Sequence, residues 1–333
     1  MTTDAPGRRL ALGVSLAVVA GFAAALQSRV NGTLAVETGT AFGAAALSFG
    51  SGLVLLTLVL PFAPAGRAAV RQVGAGLRVG AANGGLRWWE CLGGLGGAFY
   101  VMSQGLTVDS LGVAVFTIAI VAGQSVTSLL IDRIGLAPGG VRLVTLGRVL
   151  GPVLTLAAVV VVSGAGASSA ALGLALFPLV AGALQSFQQA LNGRVRVAVR
   201  PAVPAAGEAP GRDGGVLAAT FVSFLVGTAA LLVVLAVSVV VDGPPAGSLP
   251  PELLLYSGGL LGIVFIALQA AVVQHIGVLL LGLGMIAGQV VGALVLDAVS
   301  PGVAPPGLAT YVGAALTLVA VAVPLLEGAL RRR

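Results

Sequence analysis

Apolar runs of membrane-crossing length follow one another at 10–28, 41–62, 89–107, 111–131 and 146–163, then at 172–191, 216–241, 253–272, 277–296 and 308–326. A helix rises about 1.5 Å per residue, so about 20 apolar residues cross a hydrocarbon layer about 30 Å thick. Strict alternation of polar and apolar positions, the mark of a membrane-barrel strand, is absent, and helices satisfy their own backbone hydrogen bonds in lipid. The pattern predicts an all-α integral membrane protein with ten transmembrane helices. Residues 1–9 form an N-terminal segment, 10–163 a first set of five helices, 164–171 a connecting loop, 172–326 a second set and 327–333 a tail.

The two sets repeat one another. AGFAAALQSRVNG at 20–32 is answered by AGALQSFQQALNG at 181–193, an offset of 161. Ser48-Phe49-x-x-Gly52 returns as Ser223-Phe224-x-x-Gly227, offset 175, after a longer Pro- and Arg-bearing loop. GGLGG at 93–97, Gly112, AGQ at 122–124 and Asp132 return as GGLLG at 258–262, Gly277, AGQ at 287–289 and Asp297, all at offset 165. Five is an odd number of crossings, so the second set enters the membrane from the opposite side. Such inverted repeats suit alternating access around a central site.

Charge fixes the expected orientation. The 333 residues are 58% hydrophobic and 8% charged, with a mean hydropathy of +1.09, and the 17 basic residues are all Arg. Sixteen of them fall at the N-terminus, in the loops after helices two, four and six, or at Arg331, Arg332 and Arg333. The other loops carry Asp109, Asp242, Glu252 and Asp297 and only Arg29. By the positive-inside rule both termini are cytoplasmic. A net charge of +6 scattered over loops forms no nucleic-acid patch and is suited instead to anionic lipid headgroups. Arg8 and Arg9 precede a run too long for a signal core and without a cleavage site, so that run reads as the first span. The longest loops, 62–88 and 192–215, are too short for a soluble domain.

Intramembrane polar residues are the default site candidates. Gln27 and Asn31 share one helical face, as do Gln188 and Asn192. The two glutamines have two readings, a bond between helices or the lining of a cavity. Asn31 and Asn192, each followed by Gly, read as helix ends or gates. Gln124 and Gln289 lie deep in their spans and complete the expected substrate pathway, with a structural hydrogen bond as the alternative. Gly93, Gly97, Gly258 and Gly262 form small-xxx-small pairs for close helix packing. Trp88 and Trp89 read as interfacial anchors, and Glu90 beside them either couples transport to protons or pairs with Arg87. His275 falls in a short turn. Cys91 is the lone cysteine, so no intrachain disulfide or cysteine metal site is available. Catalytic constellations, phosphate-cradling loops and cofactor or metal motifs are absent, so no cofactor is expected and the chain is not expected to be an enzyme.

Gly-x5-Gln-x3-Asn, then Ser-Phe-x-x-Gly, then a Trp followed by a Gly-Gly-rich helix, then Ala-Gly-Gln and Leu-Ile-Asp form an ordered series that resembles the YdcZ-type inner-membrane exporter family of the drug/metabolite transporter superfamily. The resemblance covers both halves, from about Leu10 to Val299, as a fused pair. The resemblance implies a DMT/EamA-like fold of ten helices in two inverted five-helix repeats, the first four of each half around a central cavity and the fifth outside. It also implies a bacterial inner membrane and export of small polar or amphipathic molecules by a secondary transporter. The expected partners are a small-molecule substrate, membrane lipid, the proton as driving ion and a second copy in a homodimer. A transporter-like scaffold that moves lipid without solute flux is the alternative. Glu90 departs from the family pattern, which is apolar around the tryptophans.

Overall fold

A computed structural model describes residues 5–80, 85–136, 140–141, 146–164, 169–199, 214–300 and 305–330. The tail at 331–333, most of the loop after Ala198 and the centre of the 164–171 loop lie outside the described residues, as does the side chain of His275. Helix follows helix, with no strand among the described residues. The order is α1 Ala5–Thr38, α2 Ala41–Val59, α3 Pro64–Val79, α4 Gly93–Ile134, α5 Leu146–Gly164, α6 Ser169–Ala198, α7 Gly214–Asp242, α8 Gly258–Val299 and α9 Leu308–Leu330.

Three boundaries differ from the sequence expectation. α1 does not stop near residue 28 but runs to Thr38, and α6 runs to Ala198, so Asn31 and Asn192 lie inside helices and are not helix ends. Both amides lie against neighbouring helices, which removes any need for a left-handed cap there. The 62–88 loop contains α3, whose Gly66, Ala69 and Val73 are buried while Arg67, Arg71 and Arg78 are exposed. This is the pattern of a helix lying along a membrane surface. Finally, the expected helices 89–107 and 111–131 form one 42-residue element, α4, interrupted at Gly112 by a non-helical backbone (φ 76°, ψ 160°), and those expected at 253–272 and 277–296 likewise form one element, α8, so that position 275 lies within a helix and not in a turn.

At about 1.5 Å per residue α4 is more than twice as long as a bilayer core is thick. Its contacts with α6 show how it fits. Gly93 and Gly97 pack on Asn192 and Gln188, yet Gly123 packs on Leu179 and Ser128 sits 3.2 Å from Ser186, so the two arms of α4 run along α6 in opposite senses. α8 does the same along α1: Gly258 meets Asn31 and Gly262 meets Gln27, whereas Gly284 meets Ala17 and Gly292 meets Ala25. The turn in α4 is capped from the other half. Asp297 of α8 accepts from Val113 N (2.9 Å) and Ala114 N (2.7 Å), the first free N–H groups after the break at Gly112.

The repeated motifs are these contacts. Gly21 of α1 lies against the backbone of Met285 and Gln289, and Gly182 of α6 against that of Ile120 and Gln124, so each Ala-Gly docks on the Ala-Gly-Gln of the opposite half. Each Gln-Asn pair lies across the glycine pair of the opposite half. A Cβ on Gly93 would stand 2.8 Å from Asn192 Oδ1, one on Gly97 2.6 Å from Gln188 Nε2, and one on Gly262 2.8 Å from Gln27 Nε2. What these glycines admit is an amide side chain. Between α2 and α7 the Phe49 and Phe224 rings lie 5.0 Å apart, each over the other's motif glycine, so a Cβ on Gly52 would collide with Phe224 and one on Gly227 with Phe49. α5 and α9 pack on each other and on the outside of α4 and α8.

Gly52→Leu should lower stability by about 1–3 kcal/mol through overpacking. Pairing it with Phe224→Ala should restore part of the loss, read as the melting temperature of the two single variants and the double variant in detergent.

Candidate functional site

Between the two halves lies a cavity of about 260 Å³, lined from α1, α2, α4, α6, α7 and α8 and, among the described residues, by none from α5 or α9. The helix α6 supplies its polar wall. Gln185, Gln188, Gln189, Asn192 and Arg196 recur at helical spacing, so their side chains fall on neighbouring faces as the chain leaves the core. Gln27 of α1 faces them. Phe49, Tyr100, Phe224 and Phe265 supply aromatic surface, and Gly97 and Gly262 leave room beside the amides.

The amides are oriented by the protein. Gln27 Nε2 donates to Gly258 O at 2.8 Å and Gln188 Nε2 to Ser223 Oγ at 2.9 Å. Gln124 Nε2 donates to Gln185 Oε1. Of the four glutamines expected along the pathway, Gln27 and Gln188 line the cavity. Gln124 does not; it holds Gln185, which does. Gln289 is buried away from the cavity, beside Ser28 and Tyr100, because Gly21 lets α1 lie over its backbone.

One end of the cavity is shut. Asn31 is fully buried and its Nδ2 donates to Gln104 Oε1 at 2.6 Å, while Gln104 Nε2 donates to Ser28 Oγ at 2.9 Å. The other end leads past Asn192, Gly193 and Arg196 toward the side where Arg67, Arg71, Arg78, Arg87 and Arg194 gather. There the amphipathic α3 helix, through Ala69 and Val73, packs with Leu86, Val195, Val199, Ala218 and Ala219 and braces the ends of α6 and α7 that form the mouth.

Glu90 stands at this Arg-rich end outside the cavity. Its Oε1 meets Arg194 Nη1 at 2.6 Å, and its Oε2 accepts from Arg87 N at 2.9 Å. Arg194 Nε also donates to Leu136 O at 2.7 Å, and the guanidinium carbons of Arg87 and Arg194 each lie 5.8 Å from the Trp89 ring centroid. The partner of the carboxylate is thus the side chain of Arg194, with Arg87 contributing its backbone. The clamp joins the start of α4 to α6. It was illegible because residues 90 and 194 are far apart in sequence and belong to different halves. Gln185, Gln189 and Arg196 were legible in principle: with Gln188 and Asn192 they complete one polar stripe on α6. Gln104 and Ser28 carried only the weak signal of polar residues within apolar runs.

Residues 12–161 and 211–323 match the family described as "Putative inner membrane exporter, YdcZ", in two blocks, one within each half, with α6 outside both. A solved structure titled "Crystal structure of protein" aligns over 96% of this chain and 97% of its own, at 20% identity and a TM-score of 0.51, which speaks for the fold alone. No curated protein matches. Two matched blocks covering most of the chain, on a polytopic helical scaffold, place it in a family of membrane transporters: the chain belongs to the YdcZ inner membrane exporter family of the drug/metabolite transporter superfamily.

Proposed function

We propose that the protein is a secondary transporter that exports small polar or amphipathic molecules by alternating access, with the cavity as substrate site and Gln27 and Gln188 on its walls. The two arms of α4 and of α8 each count as a crossing, giving ten helices in two inverted five-helix repeats over 10–163 and 172–326. The Arg-rich end is cytoplasmic by the positive-inside rule, and both termini lie on that side. The observation that carries the reading is an inequality between equivalent positions. Asn31 and Asn192 occupy the same place in the repeated motif, yet Asn31 is sealed at 0% exposure while Asn192 borders the cavity. If the halves exchange conformations, the Asn192 end closes and the Asn31 end opens.

The energy source is proposed to be the proton gradient, with no nucleotide motif in the sequence to supply an alternative. Glu90 does not face the solute, so we assign it to the clamp with Arg194 in place of the coupling role weighed from sequence.

In proteoliposomes, pools of labelled metabolites should reveal saturable flux that responds to a pH gradient and falls in Gln27→Leu and Gln188→Leu. Lipid scrambling without any saturable solute flux would overturn the transport reading in favour of a lipid-moving scaffold. Glu90→Gln should cost about 2 kcal/mol of stability, the worth of a hydrogen bond to a charged partner. It should leave the ratio of flux with and without a pH gradient unchanged, whereas loss of that ratio with unchanged melting would return Glu90 to a coupling role.

A further inference from the structure

We propose that the cavity selects uncharged, ring-bearing solutes with an amide-like edge, one that both donates and accepts hydrogen bonds, and discriminates against cations and anions of the same shape. The proposal rests on the reading of the cavity as the substrate site.

The hydrogen bonds that fix the amides decide what they offer. Gln27 and Gln188 spend a donor on Gly258 O and Ser223 Oγ, and among the described residues nothing donates to their carbonyl oxygens, which stay available as acceptors on the cavity wall. Gln185 is held the other way: its oxygen accepts from Gln124, so its own NH₂ is the group left to give. The wall therefore presents acceptors and a donor within one cavity, and a primary or cyclic amide answers both. A carboxylate has no hydrogen to give the two carbonyl oxygens. An ammonium has no lone pair for the NH₂ of Gln185.

Charge is disfavoured a second time. Among the described residues no carboxylate lines the cavity, so a cation entering it would shed water without a counter-charge. The one cationic side chain among the described residues of its wall, Arg196, stands toward the mouth and already interacts with the protein. The ring preference follows from the aromatic lining, Phe49 and Phe224 with ring centroids 5.0 Å apart and planes tilted by 33°, together with Tyr100 and Phe265, since aromatic surface favours an aromatic partner. At about 260 Å³ the cavity holds one such ring with a short substituent.

A matched trio tests this: phenylacetamide, phenethylammonium and phenylacetate share a ring and chain length and differ in charge. The reporter is Gln189→Cys in a Cys91→Ala background, which puts a thiol on the cavity wall whose reaction with a water-soluble maleimide is timed in detergent. Phenylacetamide should slow the reaction in a saturable manner, with an apparent Kd at least about tenfold lower than that of either charged analogue, a difference of about 1.4 kcal/mol. Gln188→Leu should weaken that protection, and Gln289→Leu, outside the cavity, should leave it intact. Equal or better protection by phenethylammonium or phenylacetate, or none by phenylacetamide while the introduced thiol still reacts, would overturn the selectivity and leave the cavity standing. A thiol at position 189 that never reacts, in a protein of unchanged melting temperature, would remove the open cavity itself, and both readings with it.

Discussion

Helices in a bilayer gain nothing from hiding apolar side chains from one another, since lipid is as apolar as they are, so close backbone approach has to hold them together. Here that approach is made at glycines, and at four of them what enters the gap is an amide. α1 lies on α8 through Gly21, Gly258, Gly262 and Gly288, and α6 lies on α4 through Gly93, Gly97, Gly123 and Gly182. Each of these seams joins one half to the other. Gln27, Gln188, Gly97 and Gly262 belong both to these seams and to the cavity wall, so the groups that hold the halves together are continuous with those that line the cavity.

A near-repeated sequence has produced unequal ends. Gln27 bonds a backbone carbonyl of the opposite half, whereas Gln188 bonds Ser223 within its own. Asn31 is locked to Gln104, and the equivalent Asn192 borders open space. At the open end the space is framed by α3, which the first half possesses in its longer connection and which packs against α7 through Gly66 and Leu217. The asymmetry of the two ends therefore has a contribution built into the chain by this extra helix.

Much of this was legible in the chain because the signals were periodic. Apolar length marked the helices, constant offsets paired the motifs, and arginine placement grouped α3, the end of α4 and the end of α6, which the structure brings together. What escaped was set by contacts between distant segments. Asn-Gly reads locally as a helix stop, but the 2.6 Å bond from Asn31 to Gln104 belongs to tertiary structure and the helix continues to Thr38. α3 escaped because its apolar face is built from Gly66, Ala69 and Val73, too small to register as an apolar run. Depth within the spans singled out Gln124 and Gln289, yet depth does not say which side of a helix faces the cavity.

The cap that Asp297 places on Val113 and Ala114 links positions 184 and 183 residues apart along the chain. During synthesis the second arm of α4 is complete long before Asp297 leaves the ribosome. Until then its leading N–H groups have no carboxylate to receive them, and the first half waits in the bilayer with that turn unfinished. The amino-terminal half thus receives this cap only when nearly the last helix has been made.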